Sequence, residues 1–467
     1  VYGGTQDNPQ VVVYTATNDG YLHAIDGATG EELWAFIPKD LMPNLMRLYF
    51  DPAAKYKQYG IDGNVVSVMK DVDHDGVIES SDGDFVQMIF GMRRGGSSFY
   101  SLDVTDKNSP QLLWISNAAE YGESWSTPVV TRMNISGTTQ NVDNAVVVIG
   151  GGYDTVHDTA AHPANPDAAG AGVHILDLKT GDELWRAGPD SNADLQLATM
   201  TRAFPNEIRV IDFNGDGQAD RMYATDISGQ IWRFDVLNGQ APDNLVTGGV
   251  IAQLGGEGLA SPTAADTRRF YNAPDISLIT DNVQNRNFIA ISVGSGYRSH
   301  PFDLTAADRF YSLRDRDVFN KMSQGAYDSY PIATDADLVE VSGQTQTVIT
   351  ANDRGWKFTL PANEKVLAES LTFNDEVFFV AFTPDSNSAT TCAAGRGTNF
   401  LKLISIVYGD PIVNNIDSLS PLLSDESRRS TLHQGGIAPS PTILFPSPEK
   451  ECTGADCNPP PIGCFGV

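Results

Sequence analysis

The residues whose types and spacing suggest chemistry form a short acidic loop at positions 212–220. Oxygen-bearing side chains stand at its first, third, fifth and ninth positions, namely Asp212, Asn214, Asp216 and Asp220. The seventh residue, Gln218, can offer its backbone carbonyl oxygen, and a glycine stands at the sixth position. Calcium is a hard cation that takes several oxygen ligands, and this spacing is that of the front half of a calcium loop. The sequence therefore predicts a calcium site with these five ligands.

The flanking sequence distinguishes this loop from an EF-hand. The twelfth position is Met222 and not a bidentate glutamate, and the runs on either side alternate between apolar and polar residues as β-strands do. We therefore expect a calcium loop within a β-hairpin. The alternative is an acidic turn without a cation, because Asp, Asn and Gly favour turns on their own account.

A second acidic loop, residues 71–82, repeats the pattern of alternating carboxylates followed by glycine. Its candidate ligands are Asp71, Asp73, Asp75, the carbonyl of Val77, Glu79 and Asp82. The pattern fits calcium as well as that of the first loop does. Two interpretations remain, an occupied second calcium site or an exposed acidic turn.

A recurring hairpin unit supplies the strands that must position these loops. Alternating apolar runs joined by Gly-centred turns end in tryptophan at 11–34 and 172–185, and similar units span 98–114 and 207–235. Such hairpins, recurring roughly every 60 to 70 residues, predict propeller blades with insertions. The expected fold is therefore all-β, a modified seven-bladed, quinoprotein-like β-propeller over residues 1–445. A Pro- and Cys-rich tail, residues 446–467, follows it.

Weaker blades and insertions complete the expected ring. Later strands are predicted at 288–294, 309–314, 376–382 and 402–407, with 439–445 as the closing strand. Expected insertions are a helix at 37–48 with Asp40 as its N-cap, a surface loop at 154–170 and a mobile Gly-rich loop at 240–260. The tryptophan residues of the repeated units are expected to pack between blades.

Composition and charge restrict the partners. The 467 residues carry 59 acidic and 31 basic side chains, a net charge of −28, which argues against nucleic acid and anionic membrane surfaces. No apolar run has the length of a membrane-spanning helix, and no signal peptide is visible at Val1. Because the chain begins abruptly, one strand from a repeat unit, we interpret it as an excised fragment, so the missing targeting signals mean little. The four cysteines, Cys392, Cys452, Cys457 and Cys464, predict disulfides in an oxidising compartment, with three pairings open.

Several runs, in their order along the chain, resemble the C-terminal propeller of the PilY/PilC family of type IV pilus tip-associated proteins. They are FIP at 36–38 with LMP at 41–43, SWSTPVV at 124–130, VIGGGYD at 148–154, RRFY at 268–271 with APD at 273–275, GSGYR at 294–298 with DRFY at 308–311, and GGIAPSP at 435–441. The resemblance implies a seven-bladed propeller with one calcium ion, held by Asp212, Asn214, Asp216, the Gln218 carbonyl and Asp220.

The same resemblance implies a role in pilus biogenesis, twitching motility, virulence and surface adhesion. Members of the family are thought to oppose pilus retraction when calcium is bound and to associate with minor pilins, and host surface receptors are further expected partners. The implied location is the fimbrium at the cell surface, reached through the periplasm and outer membrane. The N-terminal region that many members carry is missing from this sequence.

Two other functions are compatible with a propeller of this kind. The Asn18–Gly20 turn and the Leu33–Trp34 pair resemble repeats of quinoprotein dehydrogenases, but no adjacent cysteine pair occurs here. A glycan- or integrin-binding propeller unrelated to pili is the other alternative. G-x-S-x-G, Walker and HExxH motifs do not occur, so we expect no enzyme activity.

Two further motifs have a functional and a structural interpretation. Residues 93–96, Arg-Arg-Gly-Gly, suggest phosphate contacts or, more simply, a hairpin turn. Asp154, His157, Asp158 and His162 suggest a transition-metal site or, more simply, a solvated loop. The histidines at 23, 74, 174, 300 and 433 have no partners nearby in sequence.

Overall fold

The computed structural model describes residues 2–444 except 6–7, 51, 54–56, 142, 161–164, 282–283, 344–347, 351, 386–396, 411–428 and 434. The first half of the chain contains β1 Gly3–Thr5, β2 Asn8–Gln10, β3 Val12–Ala16, β4 Leu22–Asp26, β5 Glu32–Phe36, β6 Val65–Lys70, β7 Phe85–Gly91, β8 Phe99–Asp103, β9 Gln111–Ser116, β10 Val129–Arg132, β11 Ala145–Gly150, β12 Val173–Asp177, β13 Glu183–Gly188, β14 Leu195–Gln196, β15 Arg209–Ile211 and β16 Arg221–Thr225.

The second half contains β17 Gln230–Val236, β18 Val246–Gln253, β19 Asp275–Asp281, β20 Arg286–Gly294, β21 Arg309–Asp315, β22 Ala333–Thr334, β23 Val339–Glu340, β24 Gly355–Thr359, β25 Lys365–Val366, β26 Leu371–Phe373, β27 Glu376–Thr383, β28 Thr398–Ser405 and β29 Arg429–Leu432. The α-helices are α1 Leu45–Phe50, α2 Pro242–Leu245 and α3 Gln324–Asp328, and 3-10 helices occur at Lys39–Asn44, Ser80–Asp82, Thr155–Asp158, Ala264–Asp266 and Asp335–Asp337.

Among the described residues the strands form six sheets of three to five strands and one two-stranded ribbon, β1–β2. The sheets are β3-β4-β5, β6-β7-β8-β9, β10-β11-β12-β13-β14, β15-β16-β17-β18-β22, β19-β20-β21-β24-β23 and β25-β27-β28-β29 with β26 beside β27. Within each sheet the strands pair in antiparallel fashion except for three short edge strands, β14, β22 and β23, which pair in parallel, and the antiparallel meander is the blade topology of a propeller. The all-β expectation is confirmed, and the count of seven blades stays a prediction, as does the division at residue 445.

Tryptophans join neighbouring sheets, as the repeated units predict. The indole of Trp34 in β5 donates to the carbonyl of Lys107, 2.9 Å away, in the hairpin between β8 and β9. Trp114 in β9 reaches Leu178 beyond β12 in the same way, also at 2.9 Å. Because a buried indole needs both apolar neighbours and a partner for its N–H, each contact fixes one sheet against the next.

A helix follows residue 37 as expected, but with other bounds and type, and neither its N-cap nor the closing strand is as expected. The helix at 37–48 is instead the 3-10 helix at 39–44 followed by α1, because Pro43 lacks the N–H that a continuous α-helix needs. Its N-cap is Pro38, and Asp40 instead accepts a hydrogen bond from Ser98, at 2.6 Å. The segment 439–444 forms no strand, because its prolines cannot donate to a sheet ladder.

The Gly-rich segment 240–260, expected to be a mobile loop, contains α2 and β18. Its glycines serve packing: a Cβ at Gly248 would stand 2.4 Å from Cδ1 of Phe234 in the neighbouring strand. Glycine therefore allows β18 to lie flat against a buried aromatic ring.

Candidate calcium loops

The first acidic loop connects β15 to β16, the first two strands of their sheet. Ile211 and Arg221 are paired across the base of the hairpin, and the amide of Asp220 donates to the carbonyl of Ile211 at 2.8 Å. The loop is therefore closed at its base by the sheet ladder, so the residues between the strands must turn within a short span.

Side-chain oxygens of the predicted ligands hold that turn together. Asp212 accepts hydrogen bonds from the amides of Gly215 and Gly217, each at 2.7 Å, through its two carboxylate oxygens. The Asn214 oxygen accepts from the amide of Asp216, and Asp216 accepts from that of Gln218, both at 2.8 Å. Desolvation raises the pKa of Asp212, but the hydrogen bonds that the amides of Gly217 and Gly215 donate to the carboxylate outweigh this effect. The pKa therefore lies below its ordinary value.

The ninth-position ligand, Asp220, is held more firmly than the others. Asp220 is 6% exposed, and its carboxylate accepts a hydrogen bond from the amide of Phe213 at 3.0 Å. The ammonium of Lys321 lies 2.7 Å from its other oxygen. A lysine thus already neutralises the one buried carboxylate of this loop, and a cation that binds there must compete with it.

A buried ionic network lies directly beneath this loop. Arg221, which follows Asp220, bonds Asp235 at 2.6 Å, and Arg233 bonds Asp315 at 2.9 Å. The Arg221 guanidinium also donates to the carbonyls of Val318 and Asn320, at 3.0 and 2.8 Å. Buried charges of this kind require complete pairing, and here the pairing ties the hairpin to the segment that carries Lys321.

The second acidic loop connects β6 to β7, at the equivalent place in its own sheet. Asp71 accepts from the amides of His74 and Gly76, at 2.7 and 2.9 Å, as Asp212 does from the fourth and sixth residues of the first loop. His74 and Gly76 have φ of 62° and 83°, matching 74° and 81° at Gly215 and Gly217. The two loops therefore share one backbone conformation.

Asp84 is the ligand candidate that the sequence pattern missed. It is 5% exposed and accepts from the amide of Val72 at 2.7 Å, as Asp220 accepts from the second residue of the first loop. Its other oxygen accepts from the amide of Glu79 at 3.1 Å. The signal available in the sequence was position: like Asp220, Asp84 stands immediately before the returning strand.

The structure brings together only part of each predicted ligand set. Carboxylate oxygens of Asp71, Asp73 and Asp84 lie within 4.8 Å of one another, and this group includes neither Asp75 nor the exposed Glu79 and Asp82. The carboxylates of the first loop form no such group in the described part of the chain, because the residue at its third position, Asn214, offers an amide oxygen and Lys321 holds Asp220.

The donor sets of both loops nevertheless fit calcium chemically. All candidate ligands are carboxylate, amide or carbonyl oxygens, which hard divalent cations prefer over nitrogen or sulfur. In the second loop the pKa of Asp73 is raised: the hydrogen bond from the Asp75 amide lowers it, but desolvation and the neighbouring charges of Asp75 and Asp71 outweigh that effect. A cation would relieve that repulsion.

Other predicted features resolve as follows. His157 pairs with Asp167 at 2.7 Å and is 2% exposed, so the segment after 154 is not simply a solvated surface loop. Asp158 forms an ion pair with Arg94 at 2.6 Å, and residues 93–96 form the expected turn, in which the amide of Gly95 donates to the carbonyl of Met92 at 2.9 Å. His162 and all four cysteines lie outside the described residues.

Two histidines without partners in sequence gain them by strand pairing. His23 in β4 bonds Glu32 in β5, and His174 in β12 bonds Glu183 in β13, each at 2.7 Å. The second pair, with Glu120, forms another group of potential metal ligands. Its carboxylates also contact Arg186, so we assign it to structure.

The sheets are antiparallel meanders, tryptophans connect neighbouring sheets, and hairpins carry acidic loops. Together these features define a β-propeller with insertions. The family model for the PilY1 beta-propeller domain matches residues 2–254, more than half of the 467-residue chain. The chain belongs to this family, as its resemblance to the PilY/PilC proteins predicts.

Similar proteins agree with this assignment. The type IV pilus biogenesis factor PilY1 of Pseudomonas aeruginosa strain PAO1 is 31% identical over 238 residues, which cover 49% of this chain and 17% of that protein. A PilY1 homolog of Xylella fastidiosa is 24% identical over 97% of this chain and 30% of its own length. The crystal structure of the P. aeruginosa PilY1 C-terminal domain has a TM-score of 0.58 at 20% identity, covering 87% of this chain and 81% of that one.

The chain thus spans less than a third of the curated relatives described here. The likeness to the solved domain shows a shared fold. None of the described helices is long and apolar enough to cross a membrane.

Proposed function

We propose that this chain is the calcium-binding propeller domain of a type IV pilus biogenesis factor and tip adhesin, without catalytic activity of its own. The observation that carries the proposal is the first acidic loop of a PilY1-type propeller, whose oxygens are organised by six backbone amides. Its expected place is the fimbrium at the cell surface, and its expected partners are minor pilins and host receptors.

Calcium would supply positive charge and coordination to oxygens that otherwise repel one another. Asp212, Asn214, Asp216, the Gln218 carbonyl and Asp220 would hold it. The chain's own residues hold the loop in shape: backbone amides fix the turn by donating to Asp212, and the pairing of β15 with β16 anchors its two ends. Little ordering is left for the ion to impose, which favours binding.

The loop is also placed to transmit its state. Lys321 contacts Asp220, and Arg221 holds the carbonyls of Val318 and Asn320. An ion that displaces Lys321 therefore changes the segment 317–322 at the surface of the domain. We propose that this change alters contacts with a pilus partner and so the balance between extension and retraction, and with it twitching motility.

The second loop is proposed as a further calcium site, formed by Asp71, Asp73 and Asp84. Because this group lacks a competing lysine in the described structure, we expect it to bind independently of the first loop.

Calorimetry with calcium on the wild-type chain and on Asp216→Ala tests the binding step. The variant should lose one site, while Asp243→Ala, at an exposed residue of α2, should bind as the wild type does. The full-length gene carrying Asp216→Ala, in bacteria lacking their own copy, tests the function. Unchanged calcium binding refutes the site, whereas lost binding with normal twitching and attachment refutes only the regulatory role.

A further inference from the structure

The outermost strands of three sheets are covered along their free edge by a short parallel strand. β14 lies beside β13, β22 beside β18 and β23 beside β24, with two residue pairs in each case. Without such a cover, the outward N–H and C=O groups of an edge strand stay available to any extended chain. In the described part of the chain, three of the six larger sheets are protected in this way.

β9, the outermost strand of the sheet β6-β7-β8-β9, has no such cover among the described residues. Apart from the ladder with β8, residues 111–117 form no backbone–backbone hydrogen bond in the described structure. The run contains neither proline nor a charged side chain, which are two common means of protecting an edge. By contrast, the uncovered outer strands β5 and β29 begin with the charged residues Glu32 and Arg429.

A comparison of β9 with β13 shows what a covering strand does. Both strands carry a β-bulge at the residue before their tryptophan, so Leu113 of β9 corresponds to Leu184 of β13. Leu184 is 9% exposed and belongs to the same buried cluster as Leu195 of the covering strand β14. Leu113 is 38% exposed. The same position of the repeat is therefore buried where a covering strand supplies an apolar side chain and exposed where none does.

The backbone of β13 shows which groups of β9 face outward. The carbonyl of Gly188 accepts from the amide of the residue after β14, at 2.8 Å, and the amide of Arg186 donates to the carboxylate of the residue before it, at 3.0 Å. Counted from the tryptophan of each strand, Gly188 corresponds to Asn117 and Arg186 to Ile115. The carbonyl of Asn117 and the amide of Ile115 are therefore the acceptor and the donor that β9 offers to an added strand.

The covering strands also show which chemistry fits such an edge. Each has a buried or half-buried apolar residue followed by an exposed polar one, namely Leu195–Gln196, Ala333–Thr334 and Val339–Glu340. All three run parallel to the strand that they cover. Two copies of this chain joined at β9 by a twofold axis would pair in antiparallel fashion, and a net charge of −28 on each opposes their contact. The comparison therefore favours a strand from a different protein.

We propose that the free edge of β9 binds an extended segment of a partner protein, which adds to the sheet as a parallel strand and buries Leu113. The segment alternates apolar and polar residues, because successive side chains of a strand point to opposite faces. A basic residue at the polar position suits the negative charge of this chain. Backbone hydrogen bonds to Ile115 and Asn117 supply affinity, and the contact with Leu113 supplies specificity. Calcium is not required for this contact.

A synthetic peptide with the sequence of residues 192–199, Asn-Ala-Asp-Leu-Gln-Leu-Ala-Thr, tests the proposal, because it contains β14. Titrated into the intact chain, it should bind with a Kd below about 1 mM and slow the hydrogen exchange of the β9 amides. N-methylation of its second leucine, which removes the donor to Asn117, should weaken binding about tenfold. Lysine in place of its glutamine should strengthen binding about threefold in low salt, and glutamate should weaken it.

Variants of the protein locate the site. Leu113→Gln should weaken peptide binding about tenfold, since the apolar contact is lost. Leu278→Gln, which changes another exposed leucine, in β19, should bind the peptide as the wild type does. Circular dichroism establishes that each variant is folded, and the N-methylated peptide tests the same contact on the unaltered protein.

Several results would overturn the assignment. They are absence of binding at 1 mM peptide, roughly, equal affinity of the N-methylated peptide, wild-type affinity in Leu113→Gln, or protection of β13 in place of β9. Dimerisation of the free chain that Leu113→Gln abolishes would assign the edge to a second copy. Much tighter peptide binding after removal of residues 446–467 would assign it to the C-terminal tail.

Discussion

Lys321 offers the sharpest test of how the first acidic loop binds its ion. Its ammonium lies 2.7 Å from an oxygen of Asp220, the buried carboxylate of the predicted ligand set. A calcium ion must displace this ammonium or share the oxygen with it. We therefore predict that Lys321→Gln binds calcium more tightly than the wild type, although a cation has been removed from the protein and nothing added to the loop.

The size of the gain follows from the exposure of the pair. The Lys321 side chain is 33% exposed and that of Asp220 is 8% exposed. Exposed ion pairs contribute about 0.2–1 kcal/mol, and we take the upper end, about 1 kcal/mol, because one partner is buried. At about 1.4 kcal/mol for each factor of ten, the calcium Kd should fall about fivefold.

Calorimetry in low-salt and high-salt buffer measures the effect. Lys357→Gln is the matched control, because Lys357 makes a similar pair with Asp335, at 2.6 Å, away from the loop. The gain should appear only in Lys321→Gln and should shrink as salt screens the wild-type pair. Unchanged or weaker calcium binding in Lys321→Gln would show that the lysine does not compete with the ion.

Three further predictions address the second loop, the turn and the core. Asp84→Ala should reduce the calcium stoichiometry by one, whereas Asp82→Ala, an exposed residue outside the carboxylate group, should not; equal stoichiometry in both would remove Asp84 from the site. Gly217→Ala should destabilise the domain by about 1–2 kcal/mol in urea unfolding, because the φ of 81° is unfavourable for alanine. A steric clash would not contribute, since the added Cβ would meet only Arg132, 3.9 Å away. Gly325→Ala in α3 should cost nothing. A null result at Gly217 would show that the loop rearranges freely. Burial raises the pKa of Asp226 from 3.8 to about 6, so the folded state keeps a proton that the unfolded state has lost. Wild-type stability should therefore fall by about 2 kcal/mol as pH rises from 4 to 6. Asp226→Asn should lack this fall, and parallel pH profiles for the two proteins would contradict it.

Local patterns along the chain were sufficient to predict the loops and their strands. In residues 212–220 the ligand spacing and the glycine act within one turn, so the Asp212 hydrogen bonds to Gly215 and Gly217 follow from sequence neighbours alone. The repeated tryptophans likewise predicted contacts between sheets, because a large aromatic side chain at one place in each unit must be buried somewhere.

Predictions made from local patterns were wrong where competing local chemistry was stronger. Pro43 imposed a 3-10 helix on an apolar spacing that suggests an α-helix, and the prolines of 439–444 prevented a closing strand. Gly248, interpreted as part of a loop, lies in a strand because the Phe234 ring fills the space of a side chain.

The amino-acid sequence by itself determined the acidic turns, the β-hairpins that carry them and the family of the chain. Only the tertiary structure decided which charges meet: Lys321 lies 101 residues from the Asp220 it neutralises, and Arg93 shares a cavity with Arg298. The physical reason is the separation along the chain of the residues that interact. A turn is set by hydrogen bonds between residues a few positions apart, whereas a pairing between distant charges depends on how the sheets pack, which no local spacing encodes.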